Sequence, residues 1–120
     1  MFSEAVLDHF QAPRNVGELA DATARVEVTN PVCGDVLHLS ARVANGRIIE
    51  ARFLCQGCTT AIACASLLTV ELTNKTPEEV RAISAIYLSN ALGGLPPATR
   101  HAAELAFDAL TQLLTKIKSN

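Results

Sequence analysis

Leu37-His38-Leu39-Ser40-Ala41-Arg42-Val43-Ala44-Asn45-Gly46-Arg47-Ile48-Ile49-Glu50-Ala51-Arg52-Phe53 decides the fold. Leu37, Leu39, Ala41 and Val43 alternate with His38, Ser40 and Arg42, the period of a strand with one buried face. Asn45-Gly46 is the pair a tight hairpin turn requires, since both central residues take positive φ. Ile49, Ala51 and Phe53 then resume the alternation against Glu50 and Arg52. Upstream, Ala24, Val26 and Val28 alternate in the same way with Arg25, Glu27 and Thr29. The expected sheet is a three-stranded antiparallel meander whose single apolar face needs a cover.

The rest of the chain supplies that cover. Ser3 is placed to cap a short helix with Val6, Leu7 and Phe10 on one side, and Pro13 and Gly17 end it in an irregular arm to about Asp21. After Cys58, the residues Ala61, Ile62, Ala65, Leu68 and Leu72 recur at helical spacing. Thr76-Pro77-Glu78-Glu79 reads as a capping box opening a third helix through Val80 and Ile83, and a short helix or turn follows around Ile86 to Leu92. Gly93-Gly94-Leu95-Pro96-Pro97 breaks the pattern. Ala102, Leu105, Ala106, Ala109, Leu110, Leu113 and Ile117 then form the apolar stripe of a long C-terminal helix. The fold class is therefore α+β, with helices packed on one face of the sheet, and residues 1–120 are expected to form one domain.

Hydrophobic residues make up 49% of the 120, with four Phe, one Tyr and no Trp, so Leu, Ile, Val and Ala must build the core. A net charge of -2 without a Lys/Arg run or interleaved aromatics argues against nucleic acid as a partner. The start of the chain has no basic segment followed by an apolar one, and no apolar run approaches the roughly 20 residues that span a bilayer. A cytoplasmic location without membrane attachment is expected. In that reducing compartment four cysteines read as ligands, nucleophiles or buried packing ahead of disulfides.

Three separated clusters carry soft-metal ligand types: Cys33-Gly34-Asp35, Cys55-Gln56-Gly57-Cys58, and His101 after Leu95-Pro96-Pro97. Cys33 falls in the loop between strands one and two, where Gly34 allows Cys33 and Asp35 to face one point. Cys58 falls just beyond strand three at a helix N-terminus, whose partial positive charge favours an anionic sulfur. In a meander the end of strand one, the start of strand two and the end of strand three share one edge, so the first two clusters meet. His101 joins them if the last helix starts at that edge. From spacing alone, Cys33 and Asp35 read equally as a ligand pair or as an Asx-type turn beside a buried thiol, and Cys55 as a ligand or a structural thiol. Cys64 reads as core packing, Arg14 as a partner for a carboxylate at the arm, and His9 and His38 receive no role.

With these residues in view, the chain resembles the U-type scaffold family of iron-sulfur cluster assembly, the IscU/NifU-like proteins. The likeness lies in Asp8 to Gly17, in Pro31-Val32-Cys33-Gly34-Asp35, in Phe53 to Ala63, and in Leu95-Pro96-Pro97 with His101. The resemblance implies a scaffold, not an enzyme, that receives sulfur from a cysteine desulfurase, collects iron, builds a [2Fe-2S] cluster and passes it to acceptor proteins. It implies Cys33, Asp35, Cys58 and His101 as ligands, Asp35 as the residue that keeps the cluster labile, and zinc as a frequent occupant of the isolated protein.

Two departures stand out. The family usually has a cysteine directly after its histidine, as a ligand and often as the acceptor of persulfide sulfur, and this chain has Ala102 there. Ala98-Thr99-Arg100 replaces the segment that a dedicated Hsp70-type chaperone recognises, so that partner is not carried over. Cys55, three residues before Cys58, is the candidate to replace the missing thiolate. Two other readings stay open at this stage: a zinc-bound sulfur acceptor for the desulfurase using Cys58 or Cys55, and a paralogue that keeps the fold as a binding or regulatory module.

Overall fold

A computed structural model gives the architecture. It describes residues 2–119; Met1 and Asn120, the two ends of the expected unit, lie outside the described residues. The order is α1 (Glu4–Gln11), β1 (Ala24–Thr29), β2 (Val36–Ala44), β3 (Arg47–Gln56), α2 (Thr59–Leu72), α3 (Pro77–Val80), α4 (Ala85–Ala91), a 3₁₀ turn (Pro97–Thr99) and α5 (Arg100–Ser119). The sheet is the expected antiparallel meander in the order β1-β2-β3. Thr29 pairs with Val36 and Val36 with Gln56, so the end of β1, the start of β2 and the end of β3 share one edge.

Ala24, Val26, Val28, Leu37, Leu39, Ala41, Ala51 and Phe53 are buried on the inner face, where α5 covers β1 and β2 and α2 covers β3. Leu68, Leu72, Leu110 and Leu113 are sealed from solvent in those helices. Each such side chain contributes about 1.5–3 kcal/mol through the surface it removes from water.

Four local expectations are corrected. The register shifts between Arg42 and Val43, pairing Arg42 with Glu50 but Val43 with Ile48. That bulge turns Ile48 inward, wholly buried, and leaves Ile49 39% exposed, so the apolar set of β3 runs through Ile48 rather than Ile49. In α1 only Val6 is buried, and Leu7 and Phe10 face solvent. The helix opened by Thr76 stops at Val80; its capping box forms, but Ile83 reaches the core from the turn that follows. The arm after α1 is not wholly irregular: Gly17 N–H donates to Phe53 O (2.8 Å) and Phe53 N–H to Asn15 O (2.9 Å), so it covers the free edge of β3.

α2 is buried on nearly every side, including the polar Ser66 and Thr69. The arm satisfies both: Ser66 Oγ accepts from Arg14 N–H (2.9 Å) and bonds His9 Nδ1 (2.8 Å), and Thr69 Oγ1 accepts from Asn15 Nδ2 (3.1 Å). Arg14 meets its expected carboxylate in Asp8 at 2.7 Å. His38, left without a role by sequence, lies 3.3 Å from Glu27 on the outer face.

Candidate metal centre

Asn30 organises the first ligand loop. Its side-chain Oδ1 accepts from Val32 N–H (2.9 Å) and Cys33 N–H (3.4 Å), an Asx turn. Its backbone N–H donates to Asp35 O and its carbonyl accepts from Gly34 N–H, both at 2.8 Å. Gly34 takes φ +77°, a left-handed conformation that a residue with a side chain seldom adopts. The loop therefore reverses within four residues and points Cys33 and Asp35 the same way.

His101 arrives from the other side. Leu95 N–H donates to Ser89 Oγ (2.9 Å), the Leu95 side chain is buried, and Pro96-Pro97 lead through the 3₁₀ turn into the first turn of α5. Ala102 and Ala103 anchor that turn in the core and leave His101 half-buried at its rim. Cys33 Sγ, a carboxylate oxygen of Asp35 and a ring nitrogen of His101 consequently lie within 4.8 Å of one another. Metal bonds of about 2.0–2.3 Å put tetrahedral ligands roughly 3.5 Å apart, so modest side-chain rotation closes this set on one ion.

The donors suit a cation. Asp35 is 8% exposed and its Oδ2 accepts no hydrogen bond from any described residue. A buried carboxylate oxygen left unpaired is costly, and a metal ion is a partner that removes the cost. Thiolate, imidazole and carboxylate together match zinc or ferrous iron.

Cys58 does not complete the group. The structure makes it the N-cap of α2, with Sγ accepting from Ala61 N–H at 3.4 Å, and it stands outside the compact set formed by Cys33, Asp35 and His101. Its neighbour Gly57 touches that set, because a Cβ at Gly57 would lie 3.0 Å from Asp35 Oδ2. The expected four-residue cluster is thus three assembled candidate ligands with a fourth thiol at the adjoining helix end.

Cys55 is half-buried on the inner face opposite Leu37. Burial pushes its thiol up to about 11, and electrostatic interaction first with Asp35 and then with Cys58 adds to this. Such a thiol becomes a ligand only where a cation draws its proton off. Cys64 is wholly buried in α2, and burial, with Cys58 and Cys55 adding, pushes its thiol up to about 12. It is packing, as its place one turn before Leu68 implies.

Two supports of the site lie outside the residues singled out from the sequence. Asn30, two residues before an N–H that needs an acceptor, is itself an Asx-turn signal. Gly57 carries no such signal, since nothing in the sequence relates it to Asp35.

Comparison with known proteins gives the family. The family model described as "NifU-like N terminal domain" matches residues 1–120. The chain is 43% identical over 114 residues to iron-sulfur cluster assembly scaffold protein IscU 1 of Archaeoglobus fulgidus, covering 95% of this chain and 74% of that protein. It is 39% identical over 122 residues to iron-sulfur cluster assembly scaffold protein IscU of Escherichia coli, covering 98% of this chain and 94% of that protein. Among solved structures, the N-terminal NifU-like protein from Brucella abortus superposes with a TM-score of 0.81 at 19% identity over 98% of this chain and 94% of that one. A putative iron-sulfur cluster assembly scaffold protein for the SUF system from Fervidobacterium islandicum gives 0.80 at 20% identity over 94% and 96%. These two establish the fold, and the sequence matches go further: the chain belongs to the NifU-like N-terminal domain family.

Proposed function

We propose that this chain, acting as a single domain over residues 1–120, is an iron-sulfur cluster assembly scaffold that carries its cargo and has no turnover of its own. Cys33, Asp35 and His101 receive iron, Cys58 joins them, and the cargo assembled is a [2Fe-2S] cluster. Cys55 stands in reserve for the thiolate that Ala102 cannot supply. Zinc occupies the same ligands when iron is absent. A cysteine desulfurase supplies the sulfur, acceptor proteins take the cluster, and the setting is the cytoplasm. Among the described residues no helix is long and apolar enough to cross a membrane.

The observation that carries this reading is the convergence of a thiol and an orphaned buried carboxylate from one loop with an imidazole more than sixty residues away, all within 4.8 Å. Its support from relatives is that the Archaeoglobus fulgidus and Escherichia coli proteins, 43% and 39% identical to this chain, are named iron-sulfur cluster assembly scaffold proteins.

Anaerobic reconstitution with ferrous iron, a desulfurase, cysteine and a thiol reductant that reduces the persulfide sulfur to sulfide tests it. A brown protein with thiolate-to-iron absorption is expected, and Cys33→Ser and His101→Ala are each expected to lose the colour. A wild-type chain that stays colourless while holding one zinc and stimulating the desulfurase would make it a sulfur acceptor instead.

A further inference from the structure

Cys58 holds two positions in the chemistry of this site, and it cannot fill both without moving. As the N-cap of α2 it adopts φ -74° and ψ 169°, and its sulfur accepts from Ala61 N–H at 3.4 Å. The first turn of α2 contains no acidic residue, so the sulfur is the side-chain acceptor at this helix end. The compact set of Cys33, Asp35 and His101 excludes it. Against Gly57, the residue before the cap, the Asp35 carboxylate is 8% exposed with Oδ2 unpartnered. An ion drawn to that oxygen therefore sits next to a thiol that is already engaged elsewhere.

We propose that Cys58 is a ligand exchanged between the helix and the cargo: metal binding at Cys33, Asp35 and His101 draws its sulfur off Ala61 N–H, and release of the metal returns it to the cap. This rests on the metal-binding role proposed above and adds a coupling to it. A metal–thiolate bond is far stronger than a sulfur-accepted hydrogen bond, so the bound ion wins the sulfur. The uncapped helix end nevertheless favours the reverse step, and that bias eases handover by a protein whose task is to give its cargo up. The exchange is a rotation of the Cys58 side chain in which one hydrogen bond is lost and one metal bond gained, with the thiol proton passing to solvent as the sulfur ligates.

Amide hydrogen exchange followed by NMR in zinc-free and zinc-loaded protein tests the proposal at one atom. Zinc is expected to speed exchange at the Ala61 amide at least several-fold while Leu68, in the same helix, is slowed or unchanged. In Cys58→Ser the hydroxyl, a good cap and a poor zinc ligand, is expected to keep the Ala61 amide protected with or without zinc. If zinc binds the wild type and Ala61 stays as protected as before, the exchange does not occur, although the three-residue site survives. If zinc does not bind at all, the site itself is refuted and the exchange with it.

Discussion

The carboxylate of Asp35 rests on the backbone of Gly57: a Cβ built there would stand 2.9 Å from Asp35 Cγ and 3.2 Å from Ala61 Cβ. Real Cβ atoms do not approach a neighbour that closely, so glycine is what lets the β1–β2 loop close onto the end of β3. The contact joins the first ligand cluster to the second and fixes the depth at which the carboxylate sits.

Gly57→Ala is accordingly expected to fold, since its φ is one that any residue adopts, but to push Asp35 outward. Overpacking of this kind costs about 1–3 kcal/mol. Calorimetric titration should show zinc affinity lower by about tenfold, near 1.4 kcal/mol. Wild-type affinity in a folded variant would mean the carboxylate is not part of the site.

The setting of His9 makes stability depend on pH. Its Nδ1 lies in hydrogen-bond contact with Ser66 Oγ at 2.8 Å, beside the Arg14 N–H that donates to the same oxygen. Partial burial of the ring, and then the nearby Arg14 guanidinium, lower the His9 pKa from 6.5, with Asp8 opposing. A histidine that binds a proton less readily when folded adds stability that is complete above pH 6.5 and lost as the pH falls toward the lower folded value. Thermal unfolding of the wild type is expected to weaken below pH 6.5, and His9→Gln, whose amide can bond Ser66 without titrating, to flatten that dependence. Parallel profiles for the two proteins would exclude His9 as the source.

Cys64→Ala separates packing from ligation. It removes one sulfur from a wholly buried position, so a loss of about 1 kcal/mol in urea unfolding is expected, with zinc stoichiometry and affinity unchanged. A fall in zinc affinity comparable with that of Cys33→Ser would make Cys64 a ligand.

The parts of the fold legible in sequence are those governed by short-range periodicity. The alternations in β1 and β2, the Asn45-Gly46 turn, the Thr76 capping box and the stripe of α5 each follow from neighbours a few residues apart. The bulge at Ile49 is different: two adjacent isoleucines suit either face equally, and only the pairing with β2 selects Ile48 for the core. Leu7 and Phe10 share a helix side with Val6, but the elements around α1 leave that side partly open. Ser66 and Thr69 lie in the middle of an apolar helix, and their partners His9, Arg14 and Asn15 are more than fifty residues away, beyond any local pattern. For the metal centre, meander topology was enough to bring Cys33 and Asp35 to the edge where Cys58 begins its helix. What it could not reveal is the competition for the Cys58 sulfur, which depends on the orientation of one side chain at the helix end.

X-ray absorption at the zinc edge, on protein loaded with one equivalent, reads the donor set itself. A four-coordinate mixed shell is expected, with sulfur at about 2.3 Å, nitrogen or oxygen at about 2.0–2.2 Å and the outer-shell signature of one imidazole, which disappears in His101→Ala. An all-sulfur shell, or a six-coordinate shell of oxygen that His101→Ala leaves unchanged, would contradict it.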